Sequence, residues 1–243
     1  MNASAPRLAG RLALITGATR GIGRAVALAY AKEGAHLILV GRTAGALEEL
    51  DDEIRALGGS ATLLTLDLRQ LDKIDALGPT VYQRWQKLDI LVANAGILGP
   101  LSPLGHVTAE AWDDVLKVNL TANWRLIRTL DPLLRMSDAG RAIFVSSGVA
   151  LRPRAYWGPY AVSKAGLEAL VRTYADEMAN TAVRANMVNP GPTRTRMRAQ
   201  AFPGEDPATL QTPEHVAPTF VRLAEPSCTD NGRLLDLPSG EMR

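Results

Sequence analysis

Seven short apolar runs recur along the chain, with amphipathic stretches between them. The runs are Arg11–Thr16, His36–Val40, Ala61–Leu66, Asp89–Ala93, Arg141–Ser146, Arg184–Val188 and Arg233–Leu237. Most are nearly continuous in apolar character, which is how strands buried on both faces read. Helical periodicity fills residues 21–33, 43–57, 70–86, 109–136, 158–179 and 213–224. In the first of these, Ile22, Val26, Ala29 and Tyr30 recur at helical spacing. Alternation repeated this often predicts an α/β fold: a doubly wound parallel sheet of about seven strands with helices on both faces. No low-complexity linker or internal repeat divides the chain, so residues 1–243 read as a single domain.

Composition removes several function classes. The 243 residues are 47% hydrophobic and 21% charged, enough for a substantial core and too apolar for a disordered chain. No stretch approaches 18 consecutive apolar residues, so no membrane span is expected. Arg11 interrupts the apolar opening segment, so no signal peptide is expected and a cytoplasmic location is. A lone cysteine, Cys228, excludes an internal disulfide, and His36, His106 and His215 lack metal-ligand spacing, so no metal is expected. The formal charge of +2 gives a weak field, and no basic stripe or aromatic platform points to nucleic acid.

The turn after the first run is Thr16-Gly17-Ala18-Thr19-Arg20-Gly21-Ile22-Gly23. Glycines there permit a tight turn and close approach of backbone to a pyrophosphate, and the following helix N-terminus offers free N–H groups to phosphate. The second run ends Val40-Gly41-Arg42-Thr43, without the acidic residue that would hydrogen-bond the ribose hydroxyls of NAD. Arg42, with Arg20 as a second cation, suits a 2′-phosphate, so NADP(H) is expected over NAD(H).

Tyr160 and Lys164 stand four apart at the start of a helix, so phenol and ammonium can share one site. An ammonium nearby favours the phenolate, and lowering the phenol pKa into a useful range takes about 3–4 kcal/mol. Ser146-Ser147 follows the fifth run, at the carboxyl edge where open α/β sheets bind ligands.

In this order, the glycine turn, Asp67-Leu68, Asn94-Ala95-Gly96, Asn119, Ser147, Tyr160-Ala161-Val162-Ser163-Lys164, Asn189-Pro190-Gly191 and Thr195 resemble the short-chain dehydrogenase/reductase family. The segments around 94–99, 157–164 and 189–207 are similar to its single-domain bacterial YciK-type branch. The resemblance implies a Rossmann-like fold and hydride exchange with a nicotinamide cofactor. It implies that Tyr160 is the general acid or base, that Lys164 lowers the Tyr160 pKa and holds the nicotinamide ribose, and that Ser147 polarises the carbonyl. Asn119 is implied to organise its helix and a proton-relaying water. Gly17, Thr19, Arg20, Gly21, Ile22 and Gly23 are implied at the pyrophosphate and adenosine end. Asp67 and Leu68 are implied at the adenine, Asn94, Ala95 and Gly96 at the adenosine ribose, and Pro190, Gly191 and Thr195 at the carboxamide.

The chain departs from the family pattern at Ala93, where asparagine is usual, at Thr193, where an apolar residue is common, and at Asp236-Leu237-Pro238-Ser239-Gly240, where a glycine pair is frequent. The partner is expected to be a small carbonyl or alcohol, bound by Gly148–Trp157, residues 97–105 and the segment after Gly191. Tyr156 and Trp157 either face it or pack. Arg194, Arg196 and Arg198 either clamp an anion or line a mobile loop. Phe202-Pro203-Gly204 suggests a short lid. The alternative function is a non-catalytic dinucleotide-binding or redox-sensing module. The resemblance also implies a homodimer or homotetramer built on helices 109–136 and 158–179.

Overall fold

The computed structural model describes residues 6–243; residues 1–5, where the segment read for a leader begins, lie outside the described residues. Each apolar run becomes a strand: β1 (Leu12–Thr16), β2 (His36–Gly41), β3 (Ser60–Thr65), β4 (Ile90–Ala93), β5 (Arg141–Val145), β6 (Arg184–Asn189) and β7 (Leu234–Asp236). All seven are parallel, in the order β3-β2-β1-β4-β5-β6-β7. Alternating side chains explain why the runs are apolar throughout. Leu12 and Leu14 of β1, with Leu91 and Ala93 of β4, enter one core, while Ala13, Ile15, Ile90 and Val92 enter a second core on the opposite face.

Helices cover both faces. The second core receives α1 (Gly21–Lys32), α2 (Ala44–Ala56) and α9 (Pro213–Ala224), through Val26, Leu50 and Phe220 among others. The Tyr30 hydroxyl of α1 donates to the Phe220 carbonyl of α9 at 3.0 Å. The first core receives α3 (Leu71–Asp75), α4 (Leu77–Trp85), α6 (Ala122–Arg135) and α7 (Gly158–Glu177), through Ile74, Val81, Leu130 and Leu167 among others. No described helix is long and apolar enough to cross a membrane.

β1 pairs with β2 on one side and β4 on the other, so the strand order reverses there. Crossovers leaving this point go to opposite faces, which opens a crevice beyond the carboxyl ends of the strands.

Four local features differ from the sequence expectation. An eighth strand, β8 (Glu241–Met242), runs antiparallel to β7; at two residues it is too short to carry a pattern. The stretch 70–86 divides between α3 and α4. Pro79 cannot donate to the Asp75 carbonyl, and the Thr129 hydroxyl takes that acceptor at 2.8 Å instead. The stretch 109–136 divides into α5 (Ala109–Leu116), a π-helical turn (Lys117–Thr121) and α6. A six-residue helix, α8 (Arg196–Ala201), forms after β6.

Candidate active site

A cleft of about 1530 Å³ occupies the crevice. Its floor begins where β1 ends. Gly17 and Gly21 have φ of +63° and +53°, in the left-handed region that side chains rarely enter. Gly23 lies beneath: a Cβ there would overlap the Gly17 carbonyl and the Asn94 side chain. Arg20 precedes α1 in extended conformation, and no side chain among the described residues caps the helix. Its first N–H groups and positive dipole end are therefore available at the cleft. Thr16, which the sequence reading passed over, joins this turn to the next. Its hydroxyl accepts from the backbone N–H groups of Asn94 and Ala95 at 3.1 Å each. The Asn94 amide returns hydrogen bonds to the carbonyls of Thr16 (2.9 Å) and Gly17 (3.2 Å).

Beside the glycine turn Arg20 and Arg42 are exposed cleft residues, and neither takes part in an ion pair among the described residues. Their basic neighbours are engaged: Arg24 pairs with Glu53, and Arg69 with Asp67 and Asp114. The Arg69 hydrogen bond, with a smaller contribution from Arg42, holds the Asp114 carboxyl below the usual carboxylate range. Asp67 also accepts from the Arg69 backbone at 3.0 Å, and buried Leu68 lines the cleft beside it.

Tyr160, Lys164 and Ser147 line the opposite end of the same cleft, with Gly96. Burial pushes the Tyr160 phenol up to about 12, against a hydrogen bond from Ser147 that lowers it. Burial also pulls the Lys164 ammonium down to about 8, against the charge of Glu168 that raises it. The expectation that Lys164 lowers the Tyr160 pKa is therefore not met by this protein alone. Burial dominates at the phenol, and the ammonium is directed elsewhere: Lys164 Nζ donates to the Val145 carbonyl at 2.7 Å, 5.7 Å from the centre of the Tyr160 ring.

Asn119 does not line the cleft. The wide π-helical turn places it, fully buried, behind Ile97, whose N–H and carbonyl it bonds at 2.8 and 2.9 Å. Its amide also donates to Ser163 Oγ at 3.0 Å, and Ser163 in turn donates to the Tyr160 carbonyl at 2.8 Å. Asn119 thus braces the strand-end loop against the helix that carries Tyr160. Glu168, also missed from sequence, accepts from Ser146 Oγ at 2.6 Å and from Arg172 at 2.9 Å. The signal for it was visible as Tyr160, Lys164, Glu168 and Arg172 at steps of four on one helix.

The segment after β6 crosses the glycine turn. Gly191 N–H donates to Asn189 Oδ1 at 3.1 Å, and Asn189 donates to Asp236 at 2.6 Å. A Cβ at Gly191 would overlap Pro238, so the altered 236–240 tail is packed against this loop. Buried Thr193 suits its polar side chain to the place, bonding the Gly191 carbonyl at 3.2 Å. Thr195 caps α8 and stands 3.3 Å from where a Gly21 Cβ would lie. Arg198 is committed to Glu205 through two 2.5 Å hydrogen bonds and stacks 3.8 Å from the centre of the Phe202 ring. Arg194 donates to the Pro207 carbonyl at 2.8 Å, and Arg196 is exposed. Trp157 meets Tyr160 edge-on at 6.0 Å and Phe202 at 5.6 Å, forming an apolar wall with Leu98, Val149 and Met197. Tyr156 lies outside the cleft lining.

The chain matches the family model described as short chain dehydrogenase over residues 11–206. It is 40% identical to the uncharacterized oxidoreductase YciK of Escherichia coli K12, over 88% of this chain and 85% of that one. A structure described as a short chain dehydrogenase from Pseudomonas syringae superposes with a TM-score of 0.93, at 42% identity over 97% of both chains. Another from Escherichia coli CFT073, complexed with NADPH, gives a TM-score of 0.92 at 38% identity, covering 96% of this chain and 99% of that one.

Proposed function

Because the chain belongs to the short-chain dehydrogenase family, we propose that it interconverts a carbonyl and an alcohol by hydride transfer with NADP(H), Tyr160 serving as general acid or base. The observation that carries this is the convergence of Tyr160, Ser147 and Lys164 on a cleft whose other end is a glycine cradle at an uncapped helix N-terminus.

The cradle fits a dinucleotide. Gly17, Thr19, Gly21 and Ile22 line the cleft where backbone N–H groups meet a pyrophosphate, while Gly23 keeps α1 close beneath. Arg20 and Arg42, without carboxylate partners among the described residues, would meet a 2′-phosphate, and the NADPH-bound neighbour supports that choice over NAD(H). Of the cleft residues, Asp67 and Leu68 would hold the adenine, Asn94, Ala95 and Gly96 the adenosine ribose, and Pro190, Gly191 and Thr195 the carboxamide. When bound, the nicotinamide supplies or accepts the hydride.

The protein supplies positioning and proton transfer. Ser147 orients the substrate oxygen by hydrogen bonding. Tyr160, held near 12, keeps its proton at neutral pH and so donates to a carbonyl oxygen during reduction. Lys164 holds the ribose and adds positive charge beside the phenol. Asn119 keeps the 97 loop and α7 in register. Trp157, Phe202 and Met197 exclude water from the substrate side. The exposed Trp124 of α6 and Val162 of α7 support assembly of two or four copies through these helices, in the cytoplasm.

The test is NADPH consumption with a panel of carbonyl compounds. The wild type should turn over at least one of them. Tyr160→Phe should bind NADPH as before and lose about 10²–10⁴-fold in turnover. Undiminished turnover by Tyr160→Phe would refute the assignment.

A further inference from the structure

Glu168 is a buried charged group to which the proposed reaction gives no task. It is only 7% exposed, and carboxylates are seldom so buried unless paired. Both of its oxygens are used: one accepts from Ser146 Oγ at 2.6 Å, the other from Arg172 at 2.9 Å. It stands one turn beyond Lys164 on α7, as Lys164 stands one turn beyond Tyr160. The two charged residues grip consecutive positions at the end of β5. Lys164 Nζ holds the Val145 carbonyl at 2.7 Å and Glu168 holds the Ser146 hydroxyl. The next residue in the chain is Ser147.

We propose that Glu168 is a positioning residue of the site: it locks the end of β5 to α7, setting Ser147 against Tyr160, and it supplies the counter-charge for buried Lys164. The proposal rests on the reading of this cleft as a carbonyl–alcohol site. A buried ammonium loses hydration and tends to shed its proton; a carboxylate one helical turn away opposes that loss. Around Lys164 stand Tyr160 and Glu168 on its own helix, the Val145 carbonyl from β5, and Gly96, whose Cβ would lie 3.7 Å from Nζ. Around Glu168 stand Ser146 from β5 and Arg172 from its own helix. Among the described residues, Arg172 makes the one ion pair to Glu168, and Lys164 makes none. Glu168 is the carboxylate one helical turn from Lys164, and its outer side is balanced by the guanidinium of half-exposed Arg172.

A purely structural acceptor and a counter-charge can be separated. The chain has five lysines, so the lysine side-chain ¹³Cε signals can be resolved and titrated, with Lys164→Arg identifying the one of interest. Glu168→Gln keeps an acceptor for Ser146 and removes the charge. It should fold with a melting temperature within a few degrees of wild type and move the Lys164 midpoint down by about one pH unit. Glu168→Asp should restore part of that shift. Arg172→Ala, at the half-exposed partner, should move the midpoint up by releasing the carboxylate from its competitor. It also provides the answer should the Glu168 variants not fold. A Lys164 midpoint that stays in place in the folded variants would overturn the proposal. The titration needs neither cofactor nor substrate, so a failure to bind NADPH, which would refute the functional reading, gives a different result.

Discussion

The two ends of the cleft are built differently. The end proposed for the dinucleotide is made of backbone: Gly17 and Gly21 in left-handed conformation, Gly23 under the Gly17 carbonyl, and Thr16 and Asn94 exchanging hydrogen bonds across the reversal of strand order. The proposed substrate end is made of side chains: an apolar wall around Trp157, Phe202 and Met197, rimmed by exposed segments. Arg152, Arg154 and Arg196 face solvent there, and Arg198 is stacked on Phe202. Backbone fixed by sterics leaves few alternatives, so one ligand geometry is imposed on the first end. The second end can change its residues without disturbing the sheet, which is how one fold accommodates many substrates.

Paired glycine substitutions test this contrast most severely. Gly23→Ala places a methyl group where the Gly17 carbonyl and the Asn94 amide already are. It should abolish tight cofactor binding and destabilise the fold by about 1–3 kcal/mol. Gly204→Ala, at the substrate end, meets nothing within 4 Å and should change stability by less than about 0.5 kcal/mol. Denaturant unfolding and cofactor titration of both variants would break the comparison if they behaved alike.

Lys164 gives a pH-dependent effect. Its folded-state pKa of about 8 lies below the ordinary lysine value of 10.5, so the unfolded chain binds more protons between those pH values. Stability contributed by this group therefore rises as pH increases from 8 to 10.5, and below 8 the buried ammonium is a constant cost. Lys164→Met should be more stable than wild type at pH 7 by about 1–3 kcal/mol, with the difference shrinking toward pH 10. A gap that does not narrow between these pH values would contradict the burial argument.

Arg42→Ala sharpens the adenosine end. NADPH binding should weaken about tenfold or more while NADH binding is unchanged, because only the former carries the 2′-phosphate. A small effect is also expected of Arg198→Ala, read by thermal unfolding. Its pair with Glu205 is partly exposed and screened by solvent, so the unfolding midpoint should move only slightly.

Sequence legibility follows the same division. The parallel strands were visible because most are buried on both faces, edge strand β3 being only partly so, and the glycine turn because side chains rarely enter its left-handed backbone. Tyr160 and Lys164 were visible through helical spacing. Glu168 shares that spacing but reads on its own as a solvated helix charge; only the fold brings Ser146 to it. The π-helical turn at Asn119 and the break at Ala76 were hidden inside continuous helical patterns, because both depend on partners distant in sequence, Ile97 and Thr129. The fate of the three arginines after Thr193 was hidden as well: Glu205 and the Pro207 carbonyl, which take up Arg198 and Arg194, are loop groups with no periodicity.

The central claim is that the backbone-built end of this cleft holds NADP(H). Titration of the purified protein with NADPH and, separately, NADH, followed by nicotinamide fluorescence, tests it most directly. The account predicts saturable NADPH binding at least tenfold tighter than NADH. Equal or preferred NADH binding would contradict the assignment of Arg20 and Arg42, and binding of neither by folded protein would contradict the functional reading itself.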